Sequence, residues 1–291
     1  MNIRDMYKTK KHLFSFEIFP PKVATAFEKI SGVVDELTTL RPDFISVTYG
    51  AGGSVKDNRT VELCKIVKNS NQSEPMAHLT CVGSSGEEIS DLLDQLEAIG
   101  VTNVLALRGD KNPNVTKEGD FRYASELTEY IKTVKPHFNV MGACYPAGHC
   151  ESTSQKEDII NLKRKVDAGA SGLITQMFFD NEEFYRFRDL AQVAGIEVPI
   201  EVGIMPITNS RQIERVISLS SATMPARLSK LLSRYGQNDK AMFDAGVAYA
   251  TEQIIELLSA DVDGVHLYTM NNPLVAKKIS DGIGGLLGES R

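Results

Sequence analysis

The stretch Leu13-Phe14-Ser15-Phe16-Glu17-Ile18-Phe19, halted by Pro20-Pro21, is the first of eight short apolar runs, each closed by a polar or conformationally special residue. Proline has no N–H to donate and constrains the residue before it, so the pair marks a strand end. The other runs are Phe44 to Gly50, Met76 to Cys81, Val104 to Asp110, Val140 to Pro146, Leu173 to Asp180, Ile200 to Ile207 and Val265 to Asn271. Helical patterns lie between most of them, at 24–40, 57–69, 86–99, 122–135, 154–168, 181–194 and 209–220. Eight strands alternating with helices in 291 residues fit an α/β fold, a single (β/α)8 (TIM) barrel, better than any other common architecture.

Local punctuation supports these elements. Ser85, Ser154 and Asp180 stand where helix N-caps belong, each followed by acidic residues in the first turn. Gly100 and Gly169 stand just past two helix ends, as left-handed C-terminal glycines do. The longest interval falls between strands seven and eight. There, residues 223–238 read as an inserted helix plus turn, and 239–259 as the long helix before strand eight. No internal repeat, low-complexity tract or linker divides the chain, so residues 1–291 read as one domain.

Composition narrows the function classes. The chain is 42% hydrophobic and 24% charged with a formal net charge of -6, ordinary for a globular α/β core. A mildly acidic chain with no dense basic stripe argues against nucleic acid as the main partner. The run Lys8, Lys10, Lys11 reads as a solvated lead-in. No apolar stretch approaches the roughly 18 residues of a membrane span, and Met1-Asn2-Ile3-Arg4 opens no signal-peptide pattern. Cys64, Cys81, Cys144 and Cys150 form no CxxC pair, so reduced thiols in a cytoplasmic protein are expected.

In such barrels the C-terminal strand ends converge on one mouth, which carries the active site. Here they present Glu17, Thr48-Tyr49, His78, Arg108-Gly109-Asp110, Tyr145, Gln176, Met205-Pro206 and Tyr268-Thr269. A lone carboxylate buried at an apolar strand end favours its protonated form, which suits Glu17 to donating a proton. A structural glutamate paired with a lysine or arginine of a neighbouring strand would leave the same trace. Asp110 is a candidate ligand contact, with Gly109 allowing close backbone approach. The RGD triplet at 108–110 ends a buried strand, which disfavours an adhesion role.

The glycines of Tyr49-Gly50-Ala51-Gly52-Gly53-Ser54 offer backbone N–H groups to an anion, although a plain loop would look the same. No GxGxxG follows a strand and no GxxxxGK[ST] occurs, which disfavours a Rossmann site and a P-loop. Asp158, Asn161 and Lys165 share one helix face with Arg164 beside them. That stripe suits a nucleotide's phosphate and ribose, or equally a solvated face. His78 and Cys81 point to opposite faces of a strand, and Cys144, His149 and Cys150 lack zinc-like spacing, so no metal is expected.

With these residues in view, the chain closely resembles the methylenetetrahydrofolate reductase family of flavoproteins. The matching stretches are Phe16-Glu17-Ile18-Phe19-Pro20-Pro21, Ser46-Val47-Thr48-Tyr49-Gly50-Ala51, His78-Leu79-Thr80-Cys81 and Leu107-Arg108-Gly109-Asp110. They continue through Tyr123-Ala124-Ser125, Tyr145-Pro146, the segment 161–170, Ile174-Thr175-Gln176, Phe178-Phe179-Asp180 and Tyr268-Thr269-Met270-Asn271, in family order.

The resemblance implies a (β/α)8 barrel holding FAD and reducing 5,10-methylenetetrahydrofolate to 5-methyltetrahydrofolate by ping-pong hydride transfer, within one-carbon metabolism and methionine biosynthesis. It makes Glu17 the general acid that opens the five-membered ring to an iminium, and Asp110 the carboxylate between flavin and folate. It implies FAD contacts from Thr48, Tyr49, Ala51, His78, Arg108, Gly109, Asp110, Tyr123, Ala124, Tyr145, His149, Asp158, Asn161, Arg164 and Lys165. Glu17, Asp110, Gln176, Gln212 and Tyr268 would meet the substrate.

Two positions depart from many relatives. Val216 stands where an aromatic residue stacks on nicotinamide or folate, and Asn272 where an arginine meets the folate tail, with Lys277 a nearby substitute. The first leaves the donor open between NADH, NADPH and an electron-donating protein subunit, and the assembly is expected to be a homo-oligomer or hetero-complex. With the sequence running to just after the eighth barrel helix, the C-terminal regulatory domain of eukaryotic relatives is not expected. A flavin-free pterin-binding barrel transferase is the rival from another class.

Overall fold

The computed structural model describes residues 1–21, 27–49, 59–109, 119–219 and 222–288, with the backbone alone at 214, 215 and 217–219. Eight parallel strands close into a barrel in sequence order: β1 Leu13–Ile18, β2 Phe44–Val47, β3 Glu74–Thr80, β4 Asn103–Leu107, β5 Asn139–Cys144, β6 Leu173–Thr175, β7 Ile200–Ile204 and β8 Gly264–Tyr268. Closure comes from β1 pairing with β8, from Leu13 opposite Gly264 to Glu17 opposite Tyr268. The expected architecture is the one observed.

The helices are α1 Ile3–Met6, α2 Phe27–Thr38, α3 Arg59–Asn69, α4 Gly86–Ala98, α5 Ala124–Val134, α6 Gln155–Asp167, α7 Asn181–Val193, α8 Ser210–Leu219, α9 Ala226–Tyr235, α10 Asp239–Ser259 and α11 Pro273–Leu287. Helix α9 is the insertion expected between strands seven and eight. Ser85, Ser154 and Asp180 cap α4, α6 and α7 through their side chains, and Ser85 forms a full capping box with Glu88. Gly100 and Gly169 adopt φ of 73° and 115° just past α4 and α6. No helix among the described residues is long and apolar enough to cross a membrane.

Strand alternation sends Phe14, Phe16 and Ile18 outward, into the main core shared with the helices. Leu13, Ser15 and Glu17 therefore face the barrel interior. At the N-terminal end the interior is apolar: Leu13, Phe44, Met76, Leu105, Met141 and Ile174 pack against Ile3, Met6 and Tyr7. The short α1 thus plugs the barrel floor, a role the sequence reading did not assign to residues 3–6. The lysines of that segment do remain at the surface, where Lys8 pairs with Asp5, Lys10 with Asp43 and Lys11 with Asp261.

Strands six and seven are shorter than their apolar runs. Past Thr175 and Ile204 the chain leaves the ladder, yet Phe179 and Ile207 stay buried beneath Leu228 of α9 and Met242 of α10. Hydrophobicity there serves a satellite core under the insertion, which periodicity alone does not separate from strand.

Candidate active site

Glu17 ends the inward face of β1, and its side chain keeps 21% exposure, so it opens to the mouth and is not sealed in an apolar pocket. Among the described residues no lysine or arginine reaches it, which removes the structural ion pair that its sequence context left open. Its neighbours are imidazoles: His78 Nε2 lies 3.6 Å and His266 Nε2 3.8 Å from Glu17 Oε2. Burial pushes the His78 pKa down to about 4 against the opposing pull of Glu17, so His78 is neutral near pH 7. Its buried Nε2 has no hydrogen-bond partner among the described residues.

Below Glu17 the interior carries a polar chain. Tyr7 Oη and Ser15 Oγ donate to the two carboxyl oxygens of Glu201, at 2.7 and 2.6 Å. Ser15 Oγ also lies 2.7 Å from His266 Nδ1, and Ser46 Oγ 3.2 Å from His266 Nε2. Burial raises the pKa of Glu201, against the lowering pull of His266 and these hydroxyl bonds. Reading strand ends alone passes over these residues. The available signal was a glutamate and a histidine inside apolar runs, where a polar group needs a buried partner.

Tyr268 closes the other side of Glu17. Its hydroxyl donates to Thr175 O at 2.8 Å, and burial followed by the nearby Glu17 charge pushes its pKa well above the usual range. Gly203 makes that contact possible, since a Cβ there would lie 2.8 Å from the Tyr268 hydroxyl and 2.3 Å from Thr175 O. Gln176 follows β6; its N–H donates to Cys144 O at 2.7 Å and its Oε1 accepts from Met177 N. Gln212 lies at the start of α8, where its Oε1 accepts from the N–H groups of Thr208 and Asn209. Thr48 and Tyr49 follow β2, and Thr48 N donates to Ile18 O.

Beside the mouth a cavity of about 550 Å³ runs between the ends of β4 and β5 and the helices α5 and α6. Arg108, Tyr123, Ala124, Tyr145, His149, Asp158, Asn161, Arg164 and Lys165 all line it, so most of the expected cofactor contacts meet on one groove. Gly142 lets Lys165 cross β5, as a Cβ there would lie 2.6 Å from Lys165 Cδ, and the ammonium donates to Ala143 O. Burial lowers the Lys165 pKa. Asp158 accepts from His149 N and Ser152 Oγ, holding the loop after β5 against α6.

The groove chemistry suits a flat nucleotide cofactor. Tyr123 exposes 61% of its surface at the rim, where an aromatic plane can stack, while Arg164 and Lys165 supply cations for phosphate. Arg108 forms a two-pronged pair with Glu151 at 2.8 and 2.6 Å, a partner not read from the sequence. Burial pushes the Cys144 thiol up, so this wall of the groove offers no thiolate nucleophile. Gly109 takes φ of 87° at the end of β4. Asp110 and Ala51, with the rest of the glycine-rich loop at 50–54, lie outside the described residues.

Val216, the departure from the stacking aromatic, is 2% exposed and buried with Phe179, Ile207, Leu228 and Met242. Asn272 caps α11, accepting from Leu274 N and Val275 N, and Lys277 pairs with Asp281 on the exposed face of that helix.

A family model described as methylenetetrahydrofolate reductase matches residues 2–284. The chain belongs to the methylenetetrahydrofolate reductase family. It is an enzyme of that family by sequence. It is 34% identical over 270 residues to the 5,10-methylenetetrahydrofolate reductase of Escherichia coli (strain K12), covering 93% of this chain and 90% of that protein. It is also 34% identical over 303 residues to methylenetetrahydrofolate reductase (NADH) 1 of Arabidopsis thaliana, covering 99% of this chain and 51% of the plant protein. Among solved structures, a Clostridium thermocellum protein described as binding two copies of 5-methyl-5,6,7,8-tetrahydrofolic acid superposes with a TM-score of 0.67 over 94% of each chain. At 13% identity, that likeness shows the fold alone.

Proposed function

We propose that this enzyme reduces 5,10-methylenetetrahydrofolate to 5-methyltetrahydrofolate in the cytoplasm, with FAD held in the groove beside the barrel mouth. The observation that carries the reading is Glu17: an inward carboxyl at the mouth, open to a ligand, flanked by imidazoles and free of any cationic partner among the described residues. Bound FAD would supply the hydride step between an electron donor and the folate, in a ping-pong cycle.

The chain's own residues supply the rest. Arg164, Lys165 and Arg108 would hold the nucleotide's phosphates, with Tyr123 stacking at the rim and Asp158 and Asn161 meeting ribose. Thr48, Tyr49, His78, Tyr145 and His149, with Ala51, Ala124 and Gly109, would surround the remaining cofactor. Glu17 would hand a proton to the leaving nitrogen of the folate's five-membered ring, producing the iminium. Asp110 would stabilise that cation through its charge, with Gln176, Gln212 and Tyr268 orienting the substrate.

The test uses purified protein, which should be yellow, under anaerobic conditions. Glu17→Gln should keep flavin bound and reducible by the donor while folate reduction stops. Loss of flavin from Glu17→Gln would make the residue structural and sink the assignment. A protein that cannot be reconstituted with FAD would favour the flavin-free pterin-binding transferase. The direct donor is NADH, NADPH or an electron-donating protein subunit. Stopped-flow mixing with each nucleotide separates these, since reduction at turnover rates by NADH or NADPH excludes an obligate protein donor.

A further inference from the structure

The backbone ladder between β1 and β8 ends at Glu17 opposite Tyr268. Beyond it, side chains continue the fastening. Thr269 Oγ1 donates to Glu17 O at 2.7 Å. The Asn271 amide then takes both backbone groups of Phe19: Phe19 N donates to Asn271 Oδ1 at 3.0 Å, and Asn271 Nδ2 donates to Phe19 O at 2.9 Å. Asn271 N donates back to Thr269 Oγ1 at 3.2 Å, joining the two fasteners.

Phe19 carries the last N–H of this segment, because Pro20 and Pro21 have none. Phe19 is 39% exposed, so packing holds it far less than it holds the fully buried Ile18 before it. A two-armed amide therefore replaces the missing ladder rung. Reaching it requires an unusual backbone: Met270 and Asn271 adopt φ of 52° and 55°, two consecutive residues in the left-handed region without a glycine. Asparagine tolerates that region better than most residues and also carries one acceptor and two donors. Such strain persists only where surrounding contacts over-determine it, and it concentrates at functional sites.

We propose that Asn271 is a positioning residue for Glu17, clamping the end of β1 so that the carboxyl meets the folate ring in one orientation; this rests on the proton-donor role proposed for Glu17. Asn271 touches no reacting atom in this account. Its effect passes through the backbone of residues 17–19, and misplacement of a catalytic group by even 1 Å is enough to slow a reaction heavily.

The test compares the two half-reactions of the flavin-loaded enzyme in Asn271→Gly, Asn271→Asp and the parent. Glycine keeps the left-handed backbone available and removes the amide, so it separates the clamp from the strain. Asn271→Gly is expected to slow the folate half-reaction about tenfold or more, with folate KM and the donor's reduction of flavin within about twofold of the parent, and to alter the pH profile of the folate step. Asn271→Asp keeps the acceptor for Phe19 N and should recover part of the rate. An Asn271→Gly enzyme whose folate step matches an active parent would overturn the inference alone. Equal losses in both half-reactions, with flavin released, would also overturn it by making Asn271 merely structural. A flavin-loaded parent with no folate turnover would overturn the proposed function and this inference together.

Discussion

Acidification should unfold this barrel partly through His78, and the window follows from the burial of that side chain. His78 is 5% exposed, and burial pushes its pKa down to about 4 from an ordinary 6.5, against a smaller opposing pull from Glu17. The folded pKa is the lower one, so the unfolded chain takes up the proton first as the pH falls. The stability contribution is therefore complete above about pH 6.5 and is lost as the pH drops through about 4. At about 1.4 kcal/mol per pH unit, that interval amounts to roughly 3 kcal/mol, a large share of a typical domain's stability.

Urea unfolding at several pH values between about 7 and 4, for the parent and His78→Gln at equal flavin concentration, measures it. The parent's stability should fall with a slope about one proton steeper than the variant's. Glu201 works in the opposite sense: its folded pKa is raised by burial, so its contribution is complete below the ordinary carboxylate pKa and is lost as the pH rises through the folded value. Both proteins retain Glu201, so the difference in slope isolates His78. Parallel acid limbs would refute the burial argument.

Two further substitutions probe the interior. Gly203→Ala places a methyl 2.3 Å from Thr175 O and against Tyr268, so it should destabilise by roughly 1–3 kcal/mol and raise the folate KM; an unchanged urea midpoint would show that β6 and β7 yield freely. Tyr7→Phe removes one of the two hydroxyl donors to the buried Glu201 carboxyl and should cost roughly 1–3 kcal/mol, read from the same unfolding curves. A loss below about 0.5 kcal/mol, the range of a neutral surface change, would mean that the floor of the barrel repacks without that bond.

Much of this architecture is written in local signals. Apolar runs stopped by prolines and polar residues, serine and aspartate caps, and glycines past helix ends each act within a few residues, so strand order and barrel class are legible without coordinates. The groove was legible in part: Asp158, Asn161, Arg164 and Lys165 do line one cavity, because helical periodicity places Asp158, Asn161 and Lys165 on one face with Arg164 beside them. The overrun of β6 and β7 shows the limit of that reading, since an apolar residue does not reveal whether it faces a ladder or an inserted helix.

Sequence by itself determined the alternation of elements and the convergence of Glu17, His78, Arg108, Tyr145 and Tyr268 on one end of the barrel. Only the tertiary structure decided which groups touch: Glu17 with His78 and His266, Glu201 with Tyr7 and Ser15, Asn271 with the backbone of Phe19. Those partners lie far apart along the chain, and no local periodicity links them. They meet because closure of the barrel turns side chains of strands distant in sequence toward one shared interior.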